Sequence, residues 1–122
     1  VFVRCDAKRL TQVIYNLVGN AINYAGDDRK VIVKVFKDGD MAKVEISDHG
    51  KGIPEEELDH VWERYYRSNQ NKRNVVGSGI GLSIVKNILI SFGAEYGIKS
   101  SAGKGSTFWF ALKLADGGKE TN

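Results

Sequence analysis

Cysteine, proline and long apolar runs are all scarce in this sequence of 122 residues, which contains one cysteine, Cys5, and one proline, Pro54. A single cysteine excludes an internal disulfide, and a chain of this length can bury a sufficient core without a structural metal. No stretch approaches the ~20 apolar residues of a membrane-spanning helix or has the pattern of a secretory signal peptide. These absences indicate one globular domain that works in a reducing, cytosolic setting.

An excess of charge of one sign is also missing. Eighteen Lys and Arg residues against 15 Asp and Glu residues give a formal net charge of +3. This small excess suits an anionic ligand but does not indicate a nucleic-acid partner, and we expect none. Glycine, in contrast, is abundant, with 14 residues, or about 11% where about 7% is average. The positions of these glycines therefore need an explanation.

Hydrophobic periodicity predicts two long helices and two pairs of strands. Asp6 is a good N-cap for the first helix, which Gly26 closes, and Gly93 stops the second. Because the strands come in sequence-adjacent pairs with helices between the pairs, we expect a two-layer α/β sandwich in which helices cover one face of a mixed β-sheet. The predicted domain spans 1–115, and 116–122 is a frayed tail. In chain order we expect the end of a strand at 1–5, a helix at 6–26, strands at 31–37 and 41–48, a short helix at 54–62, a mobile loop at 68–78, a helix at 80–92, and strands at 95–100 and 106–114.

Polar side chains recur along one edge of the first helix. Asn16 and Asn20 lie four residues apart, and Asn23 and Tyr24 follow one turn later. Amides are weak helix formers that cost roughly a few tenths of a kcal/mol each, so their presence needs an offsetting benefit. A magnesium ion bound by amide oxygens, or a ligand phosphate bound by amide N–H groups, would supply it. A solvated helix face is an equally open explanation.

Half of the glycines, seven of 14, fall in three clusters at 48–53, 77–82 and 103–107. In the second cluster glycines alternate directly before a helix, so the backbone can approach a ligand and the free N–H groups of the helix face an anion such as a phosphate chain. The spacing matches neither a Walker loop nor a Rossmann loop. Plain turn chemistry remains an alternative for each cluster taken singly.

Asp48 follows a strand and precedes a glycine-rich turn, a position from which its carboxylate can lie inside the fold. A buried carboxylate needs a hydrogen-bond donor, and the exocyclic amine of adenine would supply one, whereas guanine presents a carbonyl oxygen there. Asp48 is therefore predicted to select ATP over GTP. The alternative is that Asp48 is an ordinary turn residue.

Five motifs stand in a specific order along the chain. They are Asn-Leu-Val-Gly-Asn-Ala-Ile-Asn-Tyr at 16–24, Asp-x-Gly-x-Gly-Ile at 48–53, Trp-Glu-Arg-Tyr-Tyr-Arg at 62–67, Gly-x-Gly-x-Gly-Leu at 77–82 and Gly-Ser-Thr-x-Trp at 105–109. Their order and spacing closely resemble the N, G1, F, G2 and G3 boxes of the catalytic ATP-binding domain of bacterial sensor histidine kinases, members of the GHKL (Bergerat-fold) superfamily. The resemblance covers almost the whole chain and implies a Bergerat fold that binds ATP and Mg2+.

The resemblance also implies a role for individual positions. It makes Asn20 the magnesium ligand, with Asn16 beside it at the phosphates, and it makes Asp48 the adenine ligand. The loop 68–78 becomes a lid over ATP, and Thr107 supports the adenine through water. The implied catalytic residues are Asn16, Arg64 and Arg67, and the implied nucleotide-binding residues are Asn16, Asn20, Asn23, Tyr24, Asp48, Gly50, Gly52, Ile53, Tyr65, Arg67, Lys72, Gly77, Gly79, Ile80, Gly81, Leu82 and Thr107.

Three features depart from the family pattern. Asn23 stands where the family usually has a basic residue, and Arg67 or the lid is expected to replace the missing charge. Segment 90–94 lacks the His-Gly-Gly that often ends the second helix, with no expected loss of nucleotide binding. Neither His49 nor His60 lies in a phosphoacceptor helix context. We therefore expect an excised catalytic domain whose acceptor histidine lies on a separate dimerisation domain of the same kinase.

The implied function is transfer of the γ-phosphate of ATP to that histidine, with a response regulator as an indirect partner. We expect the isolated domain to be a cytoplasmic monomer and the parent kinase a homodimer anchored in the cell membrane. Asn16 stands where the superfamily's ATP hydrolases and serine kinases have glutamate, and an amide cannot take up the proton of a water or hydroxyl nucleophile. Slow or absent ATP hydrolysis is therefore expected. The alternatives are an ATP-binding regulatory module (a pseudokinase) and a GHKL ATPase or serine kinase.

Overall fold

A computed structural model of the chain describes residues 3–63, 81–100 and 103–115. Outside these ranges lie the predicted lid 68–78, the tail 116–122 and seven predicted site residues, Arg64, Tyr65, Arg67, Lys72, Gly77, Gly79 and Ile80. In chain order the described elements are helix α1 (Ala7–Asn23), strands β1 (Val31–Asp38) and β2 (Met41–Asp48), a 3-10 helix (Glu55–His60), helix α2 (Gly81–Ser91), and strands β3 (Glu95–Ser100) and β4 (Ser106–Lys113).

Helix α1 begins where the sequence predicts but ends earlier than expected. The carboxylate of Asp6 accepts hydrogen bonds from the backbone N–H groups of Lys8 (3.0 Å) and Arg9 (3.2 Å), which caps the helix. The helix stops short of Gly26. Gly26 packs instead against the backbone carbonyl of His49, since a Cβ atom on Gly26 would overlap that oxygen. This glycine therefore serves a contact between two segments and not the helix end.

Gly93 stops helix α2, as predicted. Gly93 has a φ of +69°, a left-handed conformation that glycine adopts readily. Its backbone N–H donates to the carbonyl of Ile90, and the N–H of Ala94 donates to the carbonyl of Leu89, both at 3.0 Å. These two bonds are the Schellman arrangement that closes a helix. Within the described ranges, neither α1 nor α2 combines the length and the apolar character that a bilayer crossing requires.

The four strands form one sheet in the order β1-β2-β4-β3, and every pair of neighbouring strands is antiparallel. The predicted two-layer sandwich is confirmed, but the mixed sheet is corrected to an antiparallel one among the described strands. Strand β3 runs parallel to β2, but the two strands are not paired because β4 lies between them. Of the predicted strand at 1–5, residues 3–5 are described, and there Val3 forms an isolated bridge with Leu114.

The core lies between one face of the sheet and the two helices. Val44 and Ile46 of β2 and Phe108 and Phe110 of β4 belong to it, and side chains alternate between the two faces of a strand. Asp48 therefore lies on the same covered face as Val44 and Ile46, at the end of β2. The buried cluster comprises Val13, Leu17, Ala21, Val44, Ile46, Val61, Val85, Ile88, Leu89, Phe108, Phe110 and Leu112.

Candidate functional site

Asp48 is a buried carboxylate, with only 4% of the residue exposed. Its Oδ1 accepts a hydrogen bond from the backbone N–H of Gly50 at 2.8 Å, and the backbone N–H of Ser106 donates a second one. Burial raises the pKa of Asp48 and outweighs these two hydrogen bonds, which lower it. A carboxylate offers about four acceptor positions, so these two bonds leave capacity for a donor. A ligand that brings such a donor would stabilise the charged form.

Backbone contacts join the turn after Asp48 to the end of α1. A Cβ atom on Gly50 would overlap the backbone carbonyl oxygen of Tyr24, and one on Gly26 would overlap that of His49. Because the overlapped atoms belong to the backbone, no larger residue fits at either glycine without a shift of the chain. These contacts place the carboxylate and the C-terminal end of α1 on the same side of the molecule, as a shared pocket requires.

The amide edge of α1 borders this junction. Asn16, Asn20 and Asn23 are all half-buried, and the backbone N–H of Tyr24 donates to the carbonyl of Asn20 at 3.2 Å. Asn20 is thus one helical turn away from the residue whose carbonyl contacts Gly50. Partial burial of all three residues disfavours a fully solvated helix face.

The start of β4 closes the other side of Asp48. Gly105 is buried with a φ of +84°, and a Cβ atom on it would overlap the backbone carbonyl oxygen of Asp48. Ser106 is only 7% exposed and lies directly opposite Asp48 in the pairing of β2 with β4. The carboxylate is therefore fixed from two sides, by the turn that follows β2 and by the turn that precedes β4.

The placement of Thr107 differs from the prediction that it supports adenine. Thr107 pairs with Ser47, and the two hydroxyl oxygens lie 2.7 Å apart. Because neighbouring residues of a strand point to opposite faces, Thr107 lies on the face away from Asp48. Ser106 occupies the position beside the carboxylate. The motif Gly-Ser-Thr holds two adjacent hydroxyls, and the alternation with the buried Phe108 was the signal that could have identified the inward one.

Three other predicted site residues in the described ranges have clear structural roles, and a fourth is exposed. Gly52 is buried with a φ of +74°, as the tight turn after β2 requires. Ile53 and Leu82 pack against the core, and Gly81 is exposed at the start of α2. Ile53 and Leu82 are therefore held in place by contacts that need no ligand.

Both histidines pair with surface carboxylates. Nδ1 of His49 lies 2.5 Å from Oδ2 of Asp28, and Nδ1 of His60 lies 2.7 Å from Oε1 of Glu63. The hydrogen bond with His49 lowers the pKa of Asp28, and the hydrogen bond with Glu63 raises the pKa of His60. The pair of His49 and Asp28, which the sequence did not suggest, links the turn after β2 to the segment between α1 and β1. It adds a side-chain contact to the backbone contacts beside Asp48.

Residues 5–116 match the family described as histidine kinase-, DNA gyrase B- and HSP90-like ATPase. This match covers nearly all of the chain, so the chain belongs to that family. Similar proteins include the sensor histidine kinase AruS of Pseudomonas aeruginosa and the mycobacterial sensor histidine kinase MprB. The prediction of a catalytic ATP-binding domain of the sensor histidine kinase type is therefore confirmed.

Three relatives illustrate the similarity. Drug sensory protein A of Synechocystis sp. is 38% identical over 115 residues, covering 86% of this chain and 17% of that protein. Aerobic respiration control sensor protein ArcB of Escherichia coli is 32% identical over 109 residues, covering 88% of this chain and 14% of that protein. The structure is similar to the mycobacterial sensor histidine kinase MprB, with a TM-score of 0.82, 29% identity, and coverage of 91% of this chain and 76% of that chain. The chain thus spans less than a fifth of the first two relatives.

Proposed function

We propose that this domain binds ATP with Mg2+ and donates the γ-phosphate to a histidine on the dimerisation domain of the same sensor kinase. The observation that carries the proposal is the buried carboxylate of Asp48, which begins a turn that packs against the C-terminal end of α1. Membership of an ATPase family supports ATP as the nucleotide. The proposed domain covers 1–115, with the lid at 68–78 and a tail at 116–122.

Asp48 is proposed to recognise the base. Its carboxylate accepts hydrogen bonds from two backbone N–H groups and lies on the covered face of the sheet, where burial raises its pKa. The exocyclic amine of adenine would donate to it, whereas the carbonyl oxygen of guanine would place acceptor against acceptor. A buried polar group left without its partner costs a large factor in affinity, so the same carboxylate would exclude GTP.

Asn20 and Asn16 are proposed to hold the metal and the phosphates. The residues present fit Mg2+, which takes oxygen ligands and is usually held by one or two protein groups together with substrate phosphates. Asn20, a half-buried residue, offers one amide oxygen, and no group of three or more His, Cys, Asp or Glu side chains in the described ranges could hold a metal ion. When bound, Mg2+ would neutralise charge on the phosphate oxygens.

Further phosphate contacts are proposed from the segment between the 3-10 helix and α2. Arg64 and Arg67 would bring positive charge to the phosphates, and the lid 68–78 would close over them. Because Asn23 carries no charge, Arg67 or the lid would supply the missing positive charge. The remaining proposed contacts in that segment and its continuation into α2 come from Tyr65, Lys72, Gly77, Gly79, Ile80, Gly81 and Leu82.

The transfer step asks this domain mainly for positioning and for neutralisation of charge on the phosphate oxygens. A neutral imidazole is already a nucleophile, so no general base is needed on this chain. Asn16 is an amide and cannot accept the proton of an attacking water. The domain is therefore proposed to hydrolyse ATP slowly while it binds ATP normally.

The parent protein is proposed to be a membrane-anchored homodimeric sensor kinase. This domain would be its cytoplasmic catalytic part and would be monomeric when isolated. The phosphorylated histidine would then pass its phosphoryl group to a response regulator. Similarity to sensor proteins several times longer than this chain supports the presence of partner domains in the same polypeptide.

Isothermal titration calorimetry tests the binding part of the proposal. ATP and GTP, each with and without Mg2+, are titrated into the wild-type chain, Asp48→Ala and the control Ser91→Ala, whose hydroxyl donates to the Ile88 carbonyl at the far end of α2. We expect micromolar ATP binding, about −7 to −8 kcal/mol, in the wild type and the control. A severe loss of ATP affinity is expected in Asp48→Ala. Equal binding of ATP and GTP by the wild type would contradict the role of Asp48.

A phosphotransfer assay tests the chemical part. The domain is mixed with ATP and a histidine-bearing dimerisation domain supplied in trans, and acid-labile phosphohistidine is measured. ATP binding without phosphohistidine would favour the regulatory module. Fast ATP turnover by the pure domain that Asn16→Ala abolishes would favour a GHKL ATPase.

A further inference from the structure

Ser100, the last residue of β3, is a junction of three segments near the proposed adenine site. Its Oγ lies 2.7 Å from the backbone nitrogen of Ile53, 2.9 Å from the carbonyl oxygen of Gly105 and 2.8 Å from Oγ of Ser106. The bond to Ile53 spans 47 residues of sequence. One half-buried hydroxyl therefore ties together the turn after β2, the end of β3 and the start of β4.

The three contacts use the full capacity of a serine hydroxyl, which has one proton and two acceptor lone pairs. The Ser100 proton goes to the Gly105 carbonyl, and the N–H of Ile53 donates to the oxygen. Since Ser100 has no second proton, the hydroxyl of Ser106 must be the donor in the third contact. The hydrogen-bond geometry thus fixes the orientation of both serines.

Each partner of Ser100 also borders Asp48. Gly105 lies against the backbone carbonyl of Asp48, since a Cβ atom there would overlap that oxygen. Ser106 faces Asp48 in the strand pairing, and its N–H donates to the carboxylate. Ile53 ends the turn that Asp48 begins. Movement at Ser100 would therefore be transmitted to the carboxylate from both sides.

We propose that Ser100 is a positioning residue for Asp48 and that it sets how strongly the site prefers adenine. This inference rests on the proposed function, because it assumes that Asp48 binds the base. Without the Ser100 hydroxyl, the N–H of Ile53 and the carbonyl of Gly105 lose their partner, and the two turns separate. The carboxylate then no longer meets the amine of adenine in a fixed geometry.

A merely structural role and a positioning role predict different measurements. Loss of stability alone would weaken the binding of all purine triphosphates by the same factor. Loss of position at Asp48 would weaken ATP more than ITP, whose base carries a carbonyl oxygen in place of the amine. The ratio of the two dissociation constants, ITP over ATP, is therefore the discriminating quantity.

The experiment measures this ratio by calorimetry for the wild type, Ser100→Ala, Ser100→Thr and the control Ser91→Ala. We expect the ratio to fall about 3- to 10-fold in Ser100→Ala, the effect of one lost hydrogen bond. Ser100→Thr, which keeps the hydroxyl, and Ser91→Ala should retain the wild-type ratio. If Ser100→Ala does not fold, Ser100→Cys takes its place, since its thiol fills a similar volume with a weaker donor and acceptor.

The outcomes separate the two proposals. A wild type that prefers ATP, with an unchanged ratio in the Ser100 variants, overturns the positioning role alone. A wild type that binds ATP and ITP equally overturns the role of Asp48 in the proposed function, and this inference with it. A fall in the ratio for Ser100→Ala, rescued by Ser100→Thr, supports both.

Discussion

Replacement of Asp48 by asparagine separates what this residue does for binding from what it does for stability. The side chain keeps its size, and an amide oxygen can still accept the backbone N–H of Gly50, now 2.8 Å from Oδ1. The negative charge is lost, and the amide nitrogen presents a donor where the carboxylate presented an acceptor. The same substitution is therefore expected to lower the affinity for ATP and to raise the stability of the fold near neutral pH.

The size of the binding effect follows from the buried position of the carboxylate, which is 4% exposed. A hydrogen bond to a charged group contributes about 1.5–3 kcal/mol, which corresponds to about a 10- to 150-fold change in Kd. The amine of adenine would face an amide donor in Asp48→Asn, so the loss should lie toward the upper end of this range. Binding of ITP should change much less.

The stability effect has a definite sign. The folded-state pKa of Asp48 is raised above 3.8 by burial, so its contribution to stability is fully present below pH 3.8 and is lost as pH rises through the raised value. Asparagine does not titrate. Relative to the wild type, Asp48→Asn should therefore gain stability between about pH 3.8 and pH 7.

Two assays check this prediction. Calorimetry with ATP and ITP at pH 7 gives the binding change, and urea unfolding at pH 4 and pH 7 gives the stability difference between wild type and variant at each pH. Full ATP affinity in Asp48→Asn would refute the proposed contact with the base. A stability difference that does not change with pH would refute the claim that burial disfavours the charged carboxylate.

Three further predictions concern the scaffold. Phe110→Ala should cost about 3–5 kcal/mol of unfolding free energy in urea because Phe110 is 0% exposed, and the partly exposed Phe36→Ala should cost much less; equal costs would contradict the assigned core. Gly105→Ala should lower stability by more than about 1 kcal/mol, measured by thermal unfolding, because φ is +84° and a Cβ atom meets backbone, and it should weaken ATP binding. Asp28 has a folded-state pKa below 3.8, so its contribution to the stability of the fold is present above pH 3.8 and is lost as pH falls through the lowered value. His49→Ala should raise the pKa of Asp28 in a carboxyl NMR titration. An unchanged pKa would show that the pair of His49 and Asp28 does not form.

Local features of the fold follow from local sequence. The helical spacing of Val13, Leu17 and Ala21 identifies the buried stripe of α1, because that pattern depends only on residues within the same helix. Asp6 and Gly93 mark helix ends for the same reason, since a cap acts on the adjacent turn. These elements could therefore be predicted without knowledge of the tertiary structure.

Features that depend on contacts between segments distant in sequence were predicted wrongly or were not predicted. Gly26 has the residue type of a helix end, but its role is set by the carbonyl of His49 on another segment. Thr107 and Ser106 are chemically alike, and the pairing of β4 with β2 decides which one faces Asp48. Ser100 contacts Ile53 across 47 residues, and no periodic pattern reports such a contact.

The same distinction applies to the sheet. Paired strands separated by helices are compatible with several strand orders, and the sequence does not show that β4 inserts between β2 and β3. That insertion is what brings Ser106 opposite Asp48. The proposed binding face therefore depends on a strand order that strand propensity does not determine.

The contacts of Gly26, Gly50 and Gly105 with main-chain carbonyls have a consequence for how this domain can evolve. Atoms common to every amino acid set the distances between the segments around the carboxylate, so most side chains nearby can be replaced without moving these segments apart. Under the proposed role of Asp48, a new nucleobase preference is then accessible through one or two side-chain substitutions on an unchanged backbone. The three glycines, in contrast, cannot gain even a methyl group without a shift of the backbone segments that they contact.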